Sequence, residues 1–263
     1  MICYSYPLKA GTDGLYGVWD EFRMGTQNKL GWLGKPLGPA VCMATRQPDL
    51  LKGKGYPVDK NLVKLFHGDG IQFQRVKSGL LVTSGIKVPE IRFRLTEIPT
   101  NGPDLFVRLT ARCEPMQGCP PEVARLMYVA ASPIAQQIKR NECFMTWING
   151  SDFDSSFYFS NIRSNRIDLE FVIEGSQALW ISRIQAYAHP DVIYRRFESG
   201  LVVANPLPRP YTFELDKLFP ERRFRRLQGS RTQDTVSNDG SVIRNKLNLR
   251  PKEGLFLTKI AIL

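Results

Sequence analysis

The sequence lacks most of the features that identify a membrane protein or a familiar enzyme. No run of about 18 apolar residues occurs, which excludes an ordinary transmembrane helix. Residues 1–7 contain neither a basic nor an apolar segment, so no secretory signal is visible and the compartment is left open. Gly-x-Ser-x-Gly is absent, and so are zinc-ligand spacings, RNA-binding aromatic motifs and glycine-rich phosphate loops. The sequence therefore indicates no specific nucleic-acid module.

Histidine and cysteine are also scarce. Of the two histidines, His67 stands in a predicted turn and His189 at a predicted strand end, so neither is expected to act as a base. The five cysteines include no C-x2-C pair, which indicates neither a metal site nor a cofactor, and their odd number leaves at least one outside any internal disulfide. Cys113 and Cys119 flank a five-residue segment that could close a small disulfide loop. The alternative is five reduced and mostly buried thiols, and both stay open.

Basic residues clearly outnumber acidic residues. The chain has 36 basic and 25 acidic residues, a net charge of +11. Such an excess favours an anionic partner: phosphate, an anionic polysaccharide, acidic lipid or an acidic protein. The densest basic cluster is Arg222, Arg223, Arg225 and Arg226, for which a solvated surface is the ordinary explanation.

Apolar and polar residues alternate with a period of two in several parts of the chain. Ile167, Leu169, Phe171 and Ile173 alternate with polar residues, which predicts a half-buried strand. Similar runs predict a hairpin around 77–79, strands over 91–95 and 105–111, and a bulged strand over 180–188. Residues 123–129 fit either a helix or a strand, and the strand is preferred. The pattern predicts an all-β chain with a jelly-roll-like sandwich.

Three parts are predicted along the chain. Residues 1–65 are rich in glycine and proline and form an extended N-terminal arm, expected to wrap over the following sandwich or another chain. Its apolar anchors would make it a partner-binding arm; they are Trp19, Phe22, Trp32 and Leu33. Residues 66–198 form the sandwich. Residues 199–263 form a small antiparallel β-module of short strands separated by turns such as Asn238-Asp239-Gly240.

The motif order in the last part, SGLVVANP, YTFEL, FRRLQGSRTQD, NDGS and LNLRPKEGLFL, resembles the terminal β-module of glycoside-hydrolase-like proteins. The resemblance covers residues 199–263 and, more loosely, 90–198, with a short echo at 31–39. It implies a carbohydrate-binding-like sandwich followed by this module. A catalytic (β/α) barrel needs about 250 residues, for which this chain has no room. The resemblance therefore implies ancestry and fold, without catalysis.

One polar and aromatic run, residues 147–159, contains the groups that bind sugars. Aromatic rings stack on sugar C–H faces, while carboxylates and amides bind hydroxyls. The candidate ligand-binding residues are Trp147, Asn149, Asp152, Asp154 and Tyr158. The alternative is a hairpin with an Asn-Gly turn and Phe153, Phe157 and Phe159 in the core. Asp152 and Asp154 alone are a weak calcium signal.

The favoured function is a non-catalytic, carbohydrate-binding-like accessory module of a glycoside-hydrolase-related protein. Two alternatives stay open: a structural or interaction subunit without a sugar ligand, and a fragment of a glycoside hydrolase. The only acidic residues near the barrel-like echo are explained by surface solubility; they are Asp13, Asp20, Glu21 and Asp49. A non-catalytic chain is therefore favoured over an enzyme.

Overall fold

The computed structural model describes residues 33–120, 122–133, 143–228 and 235–260. Of these, 54% are strand and 6% helix, which confirms the predicted all-β fold. The described helices are single turns: a 3-10 helix at Met43–Arg46, α1 at Lys60–Val63 and α2 at Leu215–Leu218. None of them is long enough to cross a membrane.

The chain divides into two compact units, one formed by residues 44–190 and the other by the segments on either side. The larger unit contains two five-stranded antiparallel sheets. The front sheet has the strand order β2, β5, β10, β7, β8: Phe66–His67, Glu90–Pro99, Arg166–Glu174, Arg125–Pro133 and Cys143–Ile148. The back sheet has the order β3, β4, β11, β6, β9: Ile71–Val76, Gly79–Ser84, Leu179–Tyr187, Leu105–Cys113 and Phe153–Phe159.

The two sheets form a sandwich because each presents one apolar face to a shared core. Phe93, Phe171 and Val129 lie inward on the front sheet, with the rings of Phe93 and Phe171 stacked 5.0 Å apart. Val107, Leu109 and Ile184 lie inward on the back sheet and are fully buried. The polar positions between them point outward, as the period of two requires. The predicted sandwich is confirmed.

Several local predictions are confirmed. Strands β3 and β4 form the hairpin predicted around residues 77–79. The register of β11 against β6 shifts between Ile181 and Arg183, which is the predicted bulge. Residues from Arg125 onward form strand β7 rather than a helix.

Two local predictions are wrong. Strand β10 is not half-buried: Glu170 on its outer face is 6% exposed, because neighbouring arginines cover it. Strands β8 and β9 do not form a hairpin, since β8 pairs with β7 and β9 pairs with β6. The Asn149-Gly150 connection therefore passes from one sheet to the other. Phe157 and Phe159 lie in the core as expected, whereas Phe153 is half exposed.

The second unit contains a six-stranded sheet and a two-stranded one. The larger has the order β1, β12, β13, β18, β15, β16: Val41–Cys42, Ile193–Arg196, Gly200–Asn205, Glu253–Ile260, Arg223–Arg226 and Val242–Ile243. The smaller pairs β14, Tyr211–Glu214, with β17, Lys246–Leu249. Buried Asn205 ties loops together: its amide donates to the carbonyls of Arg209 and Arg250, and its oxygen accepts from Leu207.

The predicted arm is described only in part. Trp19, Phe22 and Trp32 lie outside the described residues. Leu33 is buried, and its carbonyl accepts a hydrogen bond from the amide of Ser199 at 2.8 Å. Residues 44–65 pack on the sandwich core, through Leu51, Val58 and Leu62 among others. The three-part division at 65/66 and 198/199 stays a prediction of domain organisation.

For Cys113 and Cys119 the structure decides between a disulfide and two free thiols. Cys113 is buried and Cys119 is partly exposed, and they are not joined by a disulfide. The thiol of Cys113 instead donates to the carbonyl of Ile148 at 3.2 Å. The possible disulfide between Cys113 and Cys119 is therefore not formed.

Candidate functional site

The predicted sugar-binding residues lie on opposite faces of the sandwich. Trp147 is on β8 and points outward from the front sheet, with 58% of its surface exposed. Asp154 and Tyr158 are on β9 and point outward from the back sheet. Because β8 and β9 belong to different sheets, their outward residues lie on opposite faces, although the inward side chains of Thr146 and Ser155 bond each other at 2.8 Å.

The remaining predicted residues have local partners. Asp152 approaches Arg112 at 3.8 Å, and Asp154 accepts from Arg108 at 2.7 Å. Tyr158 donates to the carboxylate of Asp104. Asn149 closes a turn in which its side-chain oxygen accepts from the amide of Ser151. In the described part of the chain no three metal-binding side chains cluster, and Asp152 and Asp154 engage guanidinium groups.

The other polar residues considered from the sequence also have structural roles. The carboxylate of Asp49 accepts from the amides of Leu51, Gly53 and Ala186, which fixes the turn that precedes the sandwich. His189 is half buried, and burial lowers its pKa below the ordinary value. Nδ1 of His189 lies 2.7 Å from the carbonyl oxygen of Pro190.

A groove of about 530 Å³ crosses the outer face of the front sheet. Its lining comes from three adjacent strands and the start of a fourth. The lining residues are Glu90, Arg92, Tyr128, Ala130, Cys143, Glu170 and Val172. Ladder register explains why they meet: Val172 stands opposite both Arg92 and Tyr128, and Glu170 stands opposite both Arg94 and Ala130.

The charged half of the groove is a closed ion-pair network. Arg92 bonds Glu170 at 2.7 Å and Glu90 at 2.9 Å, and Arg94 reaches Glu170 at 3.4 Å. The hydrogen bond to Glu90, reinforced by Glu170, raises the pKa of Arg92. The network fixes a guanidinium whose side chain is 53% exposed beside a half-exposed carboxylate. A hydroxyl group both donates and accepts hydrogen bonds, so it can bind to a fixed guanidinium and a fixed carboxylate at the same time.

Next to the groove, an apolar platform lies on β7 and the edge strand β8, formed by Tyr128 of the groove lining and by Met145 and Trp147 beside it. Met145 stands opposite Tyr128, and Trp147 is the next outward residue along β8. Tyr128 is 38% exposed and Met145 is 66% exposed. Trp147 makes no ring or cation–π contact with another described side chain, so its indole face is open. The outer face thus places an open apolar platform next to fixed charged groups.

Sequence reasoning found Trp147 but missed Tyr128, Arg92, Glu90 and Glu170. The alternation of Arg92 and Arg94 with apolar residues marked them as outward, and Glu170 was marked in the same way. What the sequence did not provide was the strand order that places β5, β10, β7 and β8 side by side. These strands are sequence-distant, and their pairing depends on the assembled core.

No family model and no curated protein sequence matches the chain. Several solved structures, in contrast, match part of the chain. A carbohydrate-binding module in complex with β-1,4-galactotriose is 12% identical, with a TM-score of 0.38, over 54% of this chain and 99% of that chain. The xylan-binding domain of Paenibacillus barcinonensis Xyn10C is 11% identical, with a TM-score of 0.31, over 54% of this chain and 94% of that chain. A carbohydrate-binding module of Cellvibrio mixtus lichenase 5A, in complex with cellotriose, is 10% identical, with a TM-score of 0.28, over 48% of this chain and 93% of that chain. At these values the ligand of this chain has to be argued from its own residues.

Proposed function

We propose that the larger unit is a non-catalytic carbohydrate-binding module whose ligand lies in the front-sheet groove. The observation that carries the proposal is the combination of an open Trp147 and Tyr128 with the Glu90–Arg92–Glu170 network on one face. The aromatic platform would pack on the C–H face of a sugar ring, and the charged groups would bind hydroxyls of a neighbouring ring.

The ligand is proposed to be a glycan chain rather than a single sugar. Outward residues from β5 to β8 span three strand spacings of about 4.8 Å, or about 14 Å across the face. Platform and network lie at opposite ends of that span, so one ring cannot contact both well. A chain crossing the strands would contact both ends.

A binding role is favoured over hydrolysis because the two groove carboxylates are already engaged. Glu90 and Glu170 both bond to Arg92, so the pair is bridged by a cation instead of facing an open space for a glycosidic bond. The association with a glycoside hydrolase, implied by the motifs of residues 199–263, is part of this proposal. A protein partner bound through the N-terminal arm remains a prediction.

Isothermal titration of the full chain with a panel of neutral β-linked oligosaccharides tests the proposal. Stacking buries roughly 100 Å² of indole, which is worth about 2.5 kcal/mol, so Trp147→Ala should weaken binding about 60-fold. Arg92→Met should weaken it as well. Phe153→Ala is the matched control, because Phe153 is half exposed but lies on β9 of the back sheet.

Two results would contradict this function. The first is that no oligosaccharide or polysaccharide of the panel binds to the wild-type chain. The second is that Trp147→Ala and Phe153→Ala have the same affinity as wild type. Release of new reducing ends from a bound glycan would contradict the non-catalytic part alone.

A further inference from the structure

The outer face of the back sheet carries three arginines that the proposed glycan groove does not use. Arg108 and Arg112 lie on β6, and Arg183 lies on β11. The register places Arg183 opposite Thr110, one same-face position from Arg112. Diagonal neighbours of this kind are about 7–8 Å apart. We call this surface, with Tyr56 and Trp180, the arginine face.

Aromatic rings hold two of these arginines in place. The guanidinium carbon of Arg112 lies 5.2 Å from the ring centre of Trp180, and that of Arg183 lies 4.3 Å from the ring centre of Tyr56. Stacking restrains each guanidinium in one orientation. The guanidinium group covers one face of each ring, and 56% of the surface of Tyr56 stays exposed.

The carboxylates on this face do not neutralise all three cations. Asp154 is engaged by Thr110 and Arg108, and these hydrogen bonds lower its pKa. Asp152 approaches Arg112 at 3.8 Å, a loose contact. Arg183 makes no hydrogen bond among the described residues, and its Nε is buried without an acceptor. Arg183 interacts with Asp154 through charge, without a hydrogen bond. The face therefore has two fixed guanidinium groups, Arg112 and Arg183, that carboxylates compensate only weakly.

We propose that the arginine face binds an acidic polysaccharide, whose carboxylate or sulfate groups dock on Arg112 and Arg183. Fixed guanidinium edges match the planar oxygens of these groups. An acidic polysaccharide repeats its anionic groups along one chain and so can occupy both arginines at once. A nucleic acid is the competing occupant, since its phosphates also repeat along one chain, and it is therefore included in the test. The site is independent of the front-sheet groove, since the two lie on opposite faces of the sandwich.

The test is binding of the full chain to immobilised dextran sulfate and polygalacturonate, with uncharged dextran as the blank. The double variant Arg112→Gln/Arg183→Gln should weaken binding to at least one acidic polymer about tenfold. Loss on dextran sulfate alone identifies sulfate as the recognised group, and loss on polygalacturonate alone identifies carboxylate. Asp152→Asn should strengthen binding several-fold, because it removes the competing carboxylate beside Arg112.

The matched control is Lys87→Gln/Arg166→Gln, which removes two exposed charges elsewhere on the same unit. Equal loss in the control and in the arginine-face variant would reduce the effect to net charge and overturn the proposal. Tighter binding of duplex DNA or polyglutamate, lost in the same arginine-face variant, would overturn the assignment to polysaccharide. If the double variant does not fold, an unchanged affinity of Asp152→Asn overturns the site by itself.

Discussion

Arg125 is fully buried in the sandwich, and replacing it should be among the most damaging single changes in the chain. It occupies an inward position of β7 and has backbone carbonyls as its acceptors. Nε donates to Glu174 at 2.6 Å, Nη1 to Gln177 at 3.1 Å and Glu114 at 3.3 Å, and Nη2 to Gly175 at 3.2 Å. One guanidinium therefore links β7 to the β6–β7 and β10–β11 connections.

The magnitude follows from two opposing terms. A fifth bond, from Nη1 to the carbonyl of Ala178, is long at 3.5 Å and is left out of the sum. Each hydrogen bond to a charged donor is worth about 1.5–3 kcal/mol, so the four shorter bonds sum to roughly 6–12 kcal/mol before any cost. Burying the guanidinium costs several kcal/mol, and burial correspondingly lowers the pKa of Arg125. Arg125→Met removes both terms but leaves the carbonyls without a donor. We expect a net loss of about 3–5 kcal/mol, a large part of the stability of an ordinary domain.

Arg125→Lys tests whether the positive charge alone, without the shape of the guanidinium, accounts for the stabilisation. Lysine keeps the positive charge but cannot reach four diverging carbonyls with a planar fork, so it should restore little. Urea unfolding followed by tryptophan fluorescence measures both variants, since Trp147 and Trp180 belong to this unit. Arg166→Met is the control: Arg166 is exposed and paired with Glu97, so its loss should cost below about 1 kcal/mol. An Arg125→Met variant within about 1 kcal/mol of wild type, or a full rescue by lysine, would refute the reasoning.

Two further predictions concern the same unit. Gly55→Ala should destabilise it by several kcal/mol in the same urea assay, because an added Cβ would lie 1.5 Å from the carbonyl oxygen of Ile184; Gly53→Ala tests the neighbouring open position, where only the positive φ opposes the change. For His189, burial lowers the folded-state pKa, so the unfolded chain binds more protons just below the unfolded pKa of about 6.5. The free energy of unfolding should therefore fall as the pH drops from 7 to below about 6.5. His189→Gln should make the melting temperature less dependent on pH in this range, and an equal pH dependence in wild type and variant would contradict the prediction.

The period of two was sufficient to predict the strands because inward positions of a sandwich must be apolar. Phe93 and Phe171 illustrate this: their alternation with charged residues predicted their burial, and their rings stack in the core. Arg125 is the exception. It stands among the inward positions of a correctly predicted strand, and nothing local shows that carbonyls some 50 residues away would satisfy it.

The candidate site was predicted only in part, for a related reason. Trp147 and Asp154 were grouped because they are only seven positions apart in the sequence, but the chain crosses between sheets at Asn149. Arg92 alternates with apolar residues in the sequence, yet its proximity to Tyr128 requires β10 to lie between β5 and β7. Alternation determines the face on which a side chain lies, whereas its neighbours on that face depend on long-range strand order.

The two outer faces use the same residue types in opposite ways. On the front sheet Arg92 is engaged by carboxylates, and the rings of Trp147 and Tyr128 are open. On the back sheet a guanidinium group lies over one face of Tyr56 and one face of Trp180, and Arg183 has no hydrogen-bond acceptor among the described residues. An open ring favours an uncharged sugar face, while an open guanidinium favours an anion. Because the core separates the faces, a change on one should leave the ligand of the other bound, and this independence distinguishes two sites from a single basic surface.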